Sequence, residues 1–323
     1  MGGEYTIAAV VVTFNRKELL LKNINACFKQ KRKLNKIIII DNHSTDGTKE
    51  YIYSNLDKNC QKEIDYVYLK ENVGGSGGFS YGVQYAYEHG YAYIWLMDDD
   101  GRPWNEDTLL NLVSYIDENR LYNQPIMLNS LVQCDDNNLS FGEVQDGRII
   151  YKKEEIKYKE LKGHCSLFNG TLISKELVQK IGFPRNDYFI KGDEKEYFAR
   201  TLKYNIFNST IVNSLYFHPS PIRWNELRVI LGKRLFNNIE PGWKEYYNMR
   251  NVCLNNKMYE RNYTWINFRF YLIRCFKIIL FGDKKMYLLK IITTAYSHAN
   301  KGYTGKYILP NGQKNTEWEK TTI

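Results

Sequence analysis

The chain has 323 residues, 43% hydrophobic and 25% charged, with seven prolines. That balance excludes disorder, collagen and low-complexity scaffolds, and allows two domains or one large α/β domain with an appendage. The net charge of +9 is uneven: from Trp224 to Ile323 the chain carries 17 basic and 7 acidic residues, whereas the first 223 carry 28 and 29. The C-terminal third therefore implies an anionic partner, nucleic acid or the headgroups of an anionic membrane.

Cys27, Cys60, Cys134, Cys165, Cys253 and Cys275 form no CxxC pair, and Met1–Tyr5 lacks the apolar stretch of a signal peptide. Both features point to free thiols in a reducing cytoplasm. No run approaches the ~18 apolar residues that span a bilayer.

The run Ile7–Val12 and the run Ile37–Ile40 read as strands buried on both faces, as parallel strands are. Between them, residues 16–28 place Leu20, Ile24, Cys27 and Phe28 at helical spacing, so the unit is β-α-β. A second helix is expected near Asp46–Thr48, capped by Ser44 or Asp46, with a third strand at Asp65–Leu69. Asn72-Val73-Gly74-Gly75-Ser76-Gly77-Gly78-Phe79 follows as a loop, then a helix over Ser80–Glu88 and a strand over Ala92–Met97. Alternating strands and helices predict a doubly wound, mostly parallel sheet, whose ligands bind beyond the carboxyl ends of the strands. The loops after Val12, Ile40, Leu69 and Met97 should line one crevice.

Residues 139–151 suggest a hairpin and Lys152–Lys162 a solvated face. Strand, helix and loop return over Phe168–Arg200. From Trp224 the pattern is helical, aromatic and basic, with a boundary expected near residue 222, after Pro219 and Pro221. This divides the chain into a catalytic domain, 1–222, and a C-terminal region, 223–323.

Asp98-Asp99-Asp100 ends an apolar strand, where like charges repel unless neutralised. A divalent cation does this with hard oxygen ligands, as Mg²⁺ or Mn²⁺ prefers; capping the next helix is the alternative. The glycine-rich stretch allows close backbone approach to a phosphate or sugar, yet it is neither GxGxxG nor a Walker sequence. Thr13-Phe14-Asn15-Arg16 and Asp41-Asn42 supply hydrogen-bonding groups at the same sheet edge. Gly192-Asp193-Glu194-Lys195-Glu196 is the other compact acidic cluster, suited to a general base or simply to a helix N-terminus. His218 is a nitrogen ligand if it reaches the aspartates, and otherwise structural.

Together the Val-Thr-Phe-Asn-Arg, Ile-Asp-Asn, Asn-Val-Gly-Gly-Ser-Gly-Gly-Phe and Trp-Leu-Met-Asp-Asp-Asp stretches resemble family 2 inverting glycosyltransferases of the GT-A fold, most similarly the bacterial galactofuranosyltransferases. The resemblance covers residues 5–220. It implies that Thr13, Asn15, Arg16, Asp41, Asn72, Gly74, Gly75 and Asp99 hold a nucleotide-sugar, with Asp98, Asp100 and His218 binding Mn²⁺ or Mg²⁺. Glu194 takes the catalytic base position and Asp193 its acidic neighbour; glycine at 192 replaces the family's aromatic, and glutamate at 194 its aspartate. The implied donor is UDP-galactofuranose and the acceptor a lipid-linked or polysaccharide hydroxyl.

Two rivals remain in view: a nucleic-acid-binding protein using the basic third, without a recognisable signature, and a nucleotidyltransferase, which would release pyrophosphate. Over residues 265–281, Arg269, Arg274 and Lys277 fall within about 140° on a helix. They either snorkel from a helix packed on the catalytic domain or meet an anionic membrane in plane. The expected location is cytoplasmic, peripheral on the inner face of the cell membrane, with the oligomeric state open.

Overall fold

A computed structural model describes residues 5–163, 168–220, 227–230, 233–236, 239–240, 242–318 and 321–323. Strand β1 (Ile7–Thr13) leads through α1 (Lys17–Phe28) to β2 (Lys36–Asp41), then α2 (Thr48–Asn55), α3 (Lys58–Lys62) and β3 (Ile64–Tyr68). Helix α4 (Gly74–Glu88), β4 (Tyr93–Asp98), the short β5 (Arg102–Pro103), α5 (Thr108–Glu118) and β6 (Ile126–Gln133) follow. Next come β7 (Asn138–Gln145), β8 (Arg148–Lys152), β9 (Glu160–Lys162), β10 (Asn169–Ser174), α6 (Lys175–Ile181), α7 (Asp193–Lys203) and β11 (Phe207–Phe217). The chain ends with β12 (Leu227–Ile230), β13 (Lys233–Phe236), α8 (Gly242–Tyr259), α9 (Tyr263–Phe281) and α10 (Lys285–Asn300).

The main sheet runs β3-β2-β1-β4-β10-β6-β11-β5. Strands β3, β2, β1 and β4 are mutually parallel; β1, β2 and β4 are apolar and buried on both faces, as such strands are, whereas β3 is a half-buried edge strand. Strand β10 then runs antiparallel to both β4 and β6, while β11 is parallel to β6. The result is a mixed, mostly parallel α/β sheet, with β7 and β8 forming the expected hairpin. The core includes Ile7, Ala9, Val11, Ile37, Ile39, Trp95 and Met97, against Leu20, Ile24 and Cys27 of α1.

Contacts divide the chain into two units. The first comprises Met1–Val73, Gly78–Pro184 and Arg200–Pro221; the second comprises Gly74–Gly77, Arg185–Ala199 and Ile222–Ile323. The boundary expected near residue 222 lies outside the described residues. In the second unit α8, α9 and α10 pack on one another around Tyr246, Tyr247, Ile278, Leu288 and Ile292.

Several expectations are corrected. The glycine-rich stretch is not a loop before a helix at Ser80: α4 begins at Gly74. Two glycines of α4 serve close packing: a Cβ on Gly78, in the stretch, would stand 2.6 Å from Val12 Cγ1, and one on Gly82, beyond it, 2.4 Å from Val10 Cγ1. Neither Ser44 nor Asp46 caps α2, whose N-cap is Gly47 in the left-handed region, with no side-chain cap. Ser44 Oγ instead accepts from the Asn15 amide at 2.9 Å, and Asp46 accepts from the Thr48 hydroxyl. The C-terminal region is not wholly helical, because the β12–β13 hairpin precedes its helices. Cys27 and Cys253 are free and buried, and Cys60, Cys134 and Cys275 free and half-buried; Cys165 lies outside the described residues.

Candidate active site

Strand register brings the acidic positions together in the first unit. Thr13 pairs with Asp41 across β1–β2, and Val12 pairs with Asp98 across β1–β4, so the carboxyl ends of three adjacent strands place Thr13, Asp41 and Asp98 at one edge. The loops after β1, β2 and β3 are tied to one another. The Asn42 amide donates to Thr13 O and the Leu69 amide to Asp41 O, both at 2.9 Å. Asn42 Oδ1 accepts from the Val73 amide at 2.8 Å.

Asp41 is buried; its Oδ1 accepts from the Ser44 amide at 2.7 Å and its Oδ2 from the Tyr66 hydroxyl. Asn15, at φ 54°, accepts from the Thr45 amide at 2.7 Å and so pins the β1 loop to the β2 loop. Asp99 is also buried. Its Oδ2 accepts from Thr13 Oγ1 at 2.8 Å, while its Oδ1 takes Arg16 Nη1 at 3.0 Å. The same Arg16 nitrogen reaches Asp100 Oδ2 at 2.7 Å.

His218 arrives from the other side of the sheet. Residues Arg102 and Pro103, just after the three aspartates, pair antiparallel with Phe217 and Tyr216 at the end of β11. This pairing sets His218 beside Asp100, with Nε2 3.4 Å from Oδ1. Ligand atoms of Asp98, Asp100 and His218 all lie within 4.8 Å of one another, a spacing that can hold a metal ion. The Pro219 carbonyl, 2.7 Å from Nδ1, can only accept, so Nδ1 carries a proton, and in the neutral ring the lone pair falls on Nε2. Two carboxylates and that nitrogen suit Mn²⁺ or Mg²⁺ in chemistry as well as spacing.

The electrostatics agree. Burial, then the charges of Asp100 and Asp99, push the Asp98 carboxyl up to about 7. Burial also raises Asp99, against the pull of Arg16 and Thr13. Asp100 goes the other way: burial opposes its ionisation, but His218 and Arg16 outweigh burial and lower it. His218 is raised, since Asp100 and then Asp98 overcome the burial that disfavours imidazolium. A concentrated negative charge with one protonatable carboxyl is what a cation would relieve.

Three positioning residues were not legible from motifs. Asn23, fully buried on α1, donates from Nδ2 to Gly101 O at 2.7 Å and Asp98 O at 3.3 Å, fastening the acidic turn. Its signal in the sequence is a polar residue on the Leu20, Ile24, Cys27 face. Tyr216 is buried against Gly101, where a Cβ would stand 2.6 Å from its ring, and against Gly170, at the same distance. Ser44, expected only as a cap, links the β1 and β2 loops.

The second unit holds the remaining candidates. Gly74, at φ +76°, abuts Phe189: a Cβ there would lie 1.9 Å from Phe189 O. Gly75 meets nothing within 4 Å, and Asn72 is half-buried in the preceding turn of the first unit. Phe189, Lys191 and Gly192 all have positive φ. Helix α8 holds this loop: Asn251 Nδ2 donates toward the carbonyls of Tyr188, Ile190 and Lys191 at 3.2, 3.0 and 2.7 Å. Arg250 adds Tyr188 O at 3.1 Å, and Asn255 Nδ2 adds Gly192 O at 2.9 Å. Glycine at 192 suits φ +90°, and a Cβ there would stand 3.0 Å from Asn251 Cβ. Asp193, Glu194 and Glu196 occupy the first turn of α7, where the helix dipole favours acids. Asp193 is buried; Glu194 is half-buried and accepts from the Gly192 amide at 3.0 Å.

The α/β sheet of this order, with its acidic strand end and late histidine, fits the GT-A fold of glycosyltransferases. The Glycosyl transferase family 2 model matches residues 8–182, and the chain belongs to that family. It is 30% identical over 257 residues to galactofuranosyltransferase GlfT1 of Mycolicibacterium smegmatis, covering 76% of this chain and 81% of that one. Identity to GlfT1 of Mycobacterium tuberculosis is 29% over 252 residues, 76% of this chain and 80% of that protein. Identity to the dTDP-rhamnosyl transferase RfbF of Shigella flexneri is 25% over 204 residues, 62% of this chain and 64% of that one. Among solved structures, GalNAc-T7 with UDP, GalNAc and Mn²⁺ superposes with a TM-score of 0.60 at 14% identity, over 90% of this chain but 54% of that one. The mannosyltransferase PcManGT from Pyrobaculum calidifontis, in complex with GDP-Man and Mn²⁺, gives 0.53 at 13%, over 93% and 76%. These two likenesses concern the fold alone.

Proposed function

We propose that the protein is an inverting, cation-dependent galactofuranosyltransferase. It moves galactofuranose from UDP-galactofuranose to a hydroxyl of a lipid-linked or polysaccharide acceptor at the inner, cytoplasmic face of the cell membrane. The observation that carries this reading is the meeting of Asp98, Asp100 and His218 in a chain 30% identical, over 257 residues, to an enzyme named a galactofuranosyltransferase.

Asp98, Asp100 and His218 would hold Mn²⁺ or Mg²⁺, which when bound supplies a Lewis acid to the leaving diphosphate. Thr13, Asn15, Arg16, Asp41, Asn72, Gly74, Gly75 and Asp99 shape the nucleotide-sugar site. Of these, Asp99 and Asn15 act by fixing the loops, because their side chains are committed to Arg16 and Thr13 and to Thr45. Glu194 takes the proton from the acceptor hydroxyl, whose oxygen attacks the anomeric carbon as the bond to the diphosphate breaks. Asp193 supports it from the same helix turn. Glu194 is favoured as base because it is the more accessible of the two.

A panel of UDP-, dTDP- and GDP-sugars with Mn²⁺ tests the donor; UDP-galactofuranose should be turned over. Turnover of dTDP-rhamnose alone would overturn the donor assignment and favour the second reading, a rhamnosyltransferase, for which the RfbF likeness is the specific support.

A further inference from the structure

Helix α9 carries its polar anchors inward. Arg274 is buried, donating from Nε to Glu245 Oε1 at 2.8 Å and from Nη2 to Oε2 at 2.6 Å. Asn267 Nδ2 donates to Cys253 O at 3.0 Å. The expected cationic arc of Arg269, Arg274 and Lys277 is thereby broken, because Arg274 is neutralised inside the helical unit.

What faces outward instead is apolar. Trp265, Phe268, Leu272, Ile273, Phe276 and Ile279 are each between 42% and 61% exposed, and at 100° per residue they share an arc of about 140°. The buried residues Asn267, Arg274 and Ile278 lie opposite. Just past the end of α9, Met286, 80% exposed, and Tyr287 are exposed as well. A soluble surface seldom keeps so many large apolar side chains contiguous without a partner.

We propose that this outer face of α9, with the turn into α10, inserts in plane into the headgroup region of an anionic bilayer. Among the described residues no helix is long and apolar enough to cross a membrane, so the geometry is that of an interfacial helix. Charge selects lipid over a second copy of the chain. Around the stripe stand the exposed cations Arg261, Arg269, Lys284, Lys285 and Lys290, with Asp283 the one acid from 261 to 290. A two-fold contact across this face would set like charges together, whereas anionic headgroups neutralise them. This rests on the proposed function only in giving the contact a purpose, access to a lipid-linked acceptor.

The test is vesicle flotation of the full chain, without donor, on phosphatidylcholine alone and mixed with phosphatidylglycerol. Binding to the anionic vesicles is expected, with Leu272→Asp and Phe276→Asp each lowering the partition coefficient roughly tenfold or more. Ile149→Asp, an exposed apolar site in the β7–β8 hairpin, should change nothing. Bromine on the acyl chains should quench fluorescence in the native chain and less so in Trp265→Phe. Equal flotation of the α9 variants, no flotation, or equal affinity for neutral vesicles overturns the proposal. A solution dimer that Leu272→Asp splits would assign the face to a second copy. Flotation without sugar transfer would instead sink the enzymatic reading and leave the membrane contact standing.

Discussion

Arg16 and Asp100 are joined by a 2.7 Å ion pair across the sheet edge, and the other oxygen of that carboxylate faces His218 Nε2 at 3.4 Å. Arg16 thus aims a candidate ligand while sharing its charge with Asp99. Its side chain is 46% exposed, so its contribution to global stability is small, about 1 kcal/mol or less. Arg16→Ala should leave the melting temperature within a few degrees of the native value but lower kcat/KM for the donor roughly ten- to a hundredfold. Calorimetry beside steady-state kinetics checks the split; a large melting shift with unchanged kinetics would contradict it.

The acid cluster also predicts a pH dependence. The folded Asp98 pKa is raised to about 7 by burial and its neighbours, so below that pH a proton competes with a cation for the same carboxylate. His218, also raised, must lose its Nε2 proton to ligate. Both signs agree: Mn²⁺ affinity should climb from about pH 6 to about pH 8 and then level off. Without cation, a raised carboxyl makes the fold less stable as pH rises from its unfolded pKa of about 4 towards 7. The thermal stabilisation by added Mn²⁺ should therefore grow with pH. Titration calorimetry and thermal shift at matched ionic strength would reveal a flat profile if the cluster does not bind the ion.

Glu194→Gln should abolish transfer and spare UDP affinity. The glutamine oxygen can still accept from the Gly192 amide, so the loop keeps its 3.0 Å tether while the proton acceptor is lost. Single-turnover assays with equilibrium UDP binding separate the two effects. Full activity would move the base to Asp193.

Asn251 is fully buried, and its amide is the common donor to three carbonyls of the loop before Glu194. Asn251→Ala should cost about 2–3 kcal/mol, because buried acceptors lose their partner. As a positioning residue it should lower kcat with little change in donor KM. Thermal unfolding and kinetics on the same preparation check both; a KM effect alone would contradict the positioning role.

Much of the fold was written in local pattern. The apolar runs at Ile7–Val12 and Ile37–Ile40 became β1 and β2 because continuous β-branched sequence suits strands covered on both faces. The Leu20–Ile24–Cys27 spacing became the buried face of α1. The start of α4 inside the glycine stretch is not a local property: Gly78 of the stretch, and Gly82 beyond it, are small where α4 meets Val12 and Val10. Arg274 looked like a surface cation for the same reason, since its partner Glu245 sits 29 residues away on another helix.

By itself the sequence determined that Thr13, Asp41 and Asp98 would follow directly on apolar strands, because side-chain pattern is a property of short segments; the structure extends each strand by that one residue. The tertiary structure alone decided that His218 would stand beside Asp100, 118 residues earlier. That meeting depends on β11 pairing with the two residues of β5, with Tyr216 packed against Gly101 and Gly170. Non-local pairing of this kind leaves no periodicity in the chain. It is settled by which buried surfaces fit together, and the same holds for the apolar outer face of α9, exposed because its polar face found the better partner.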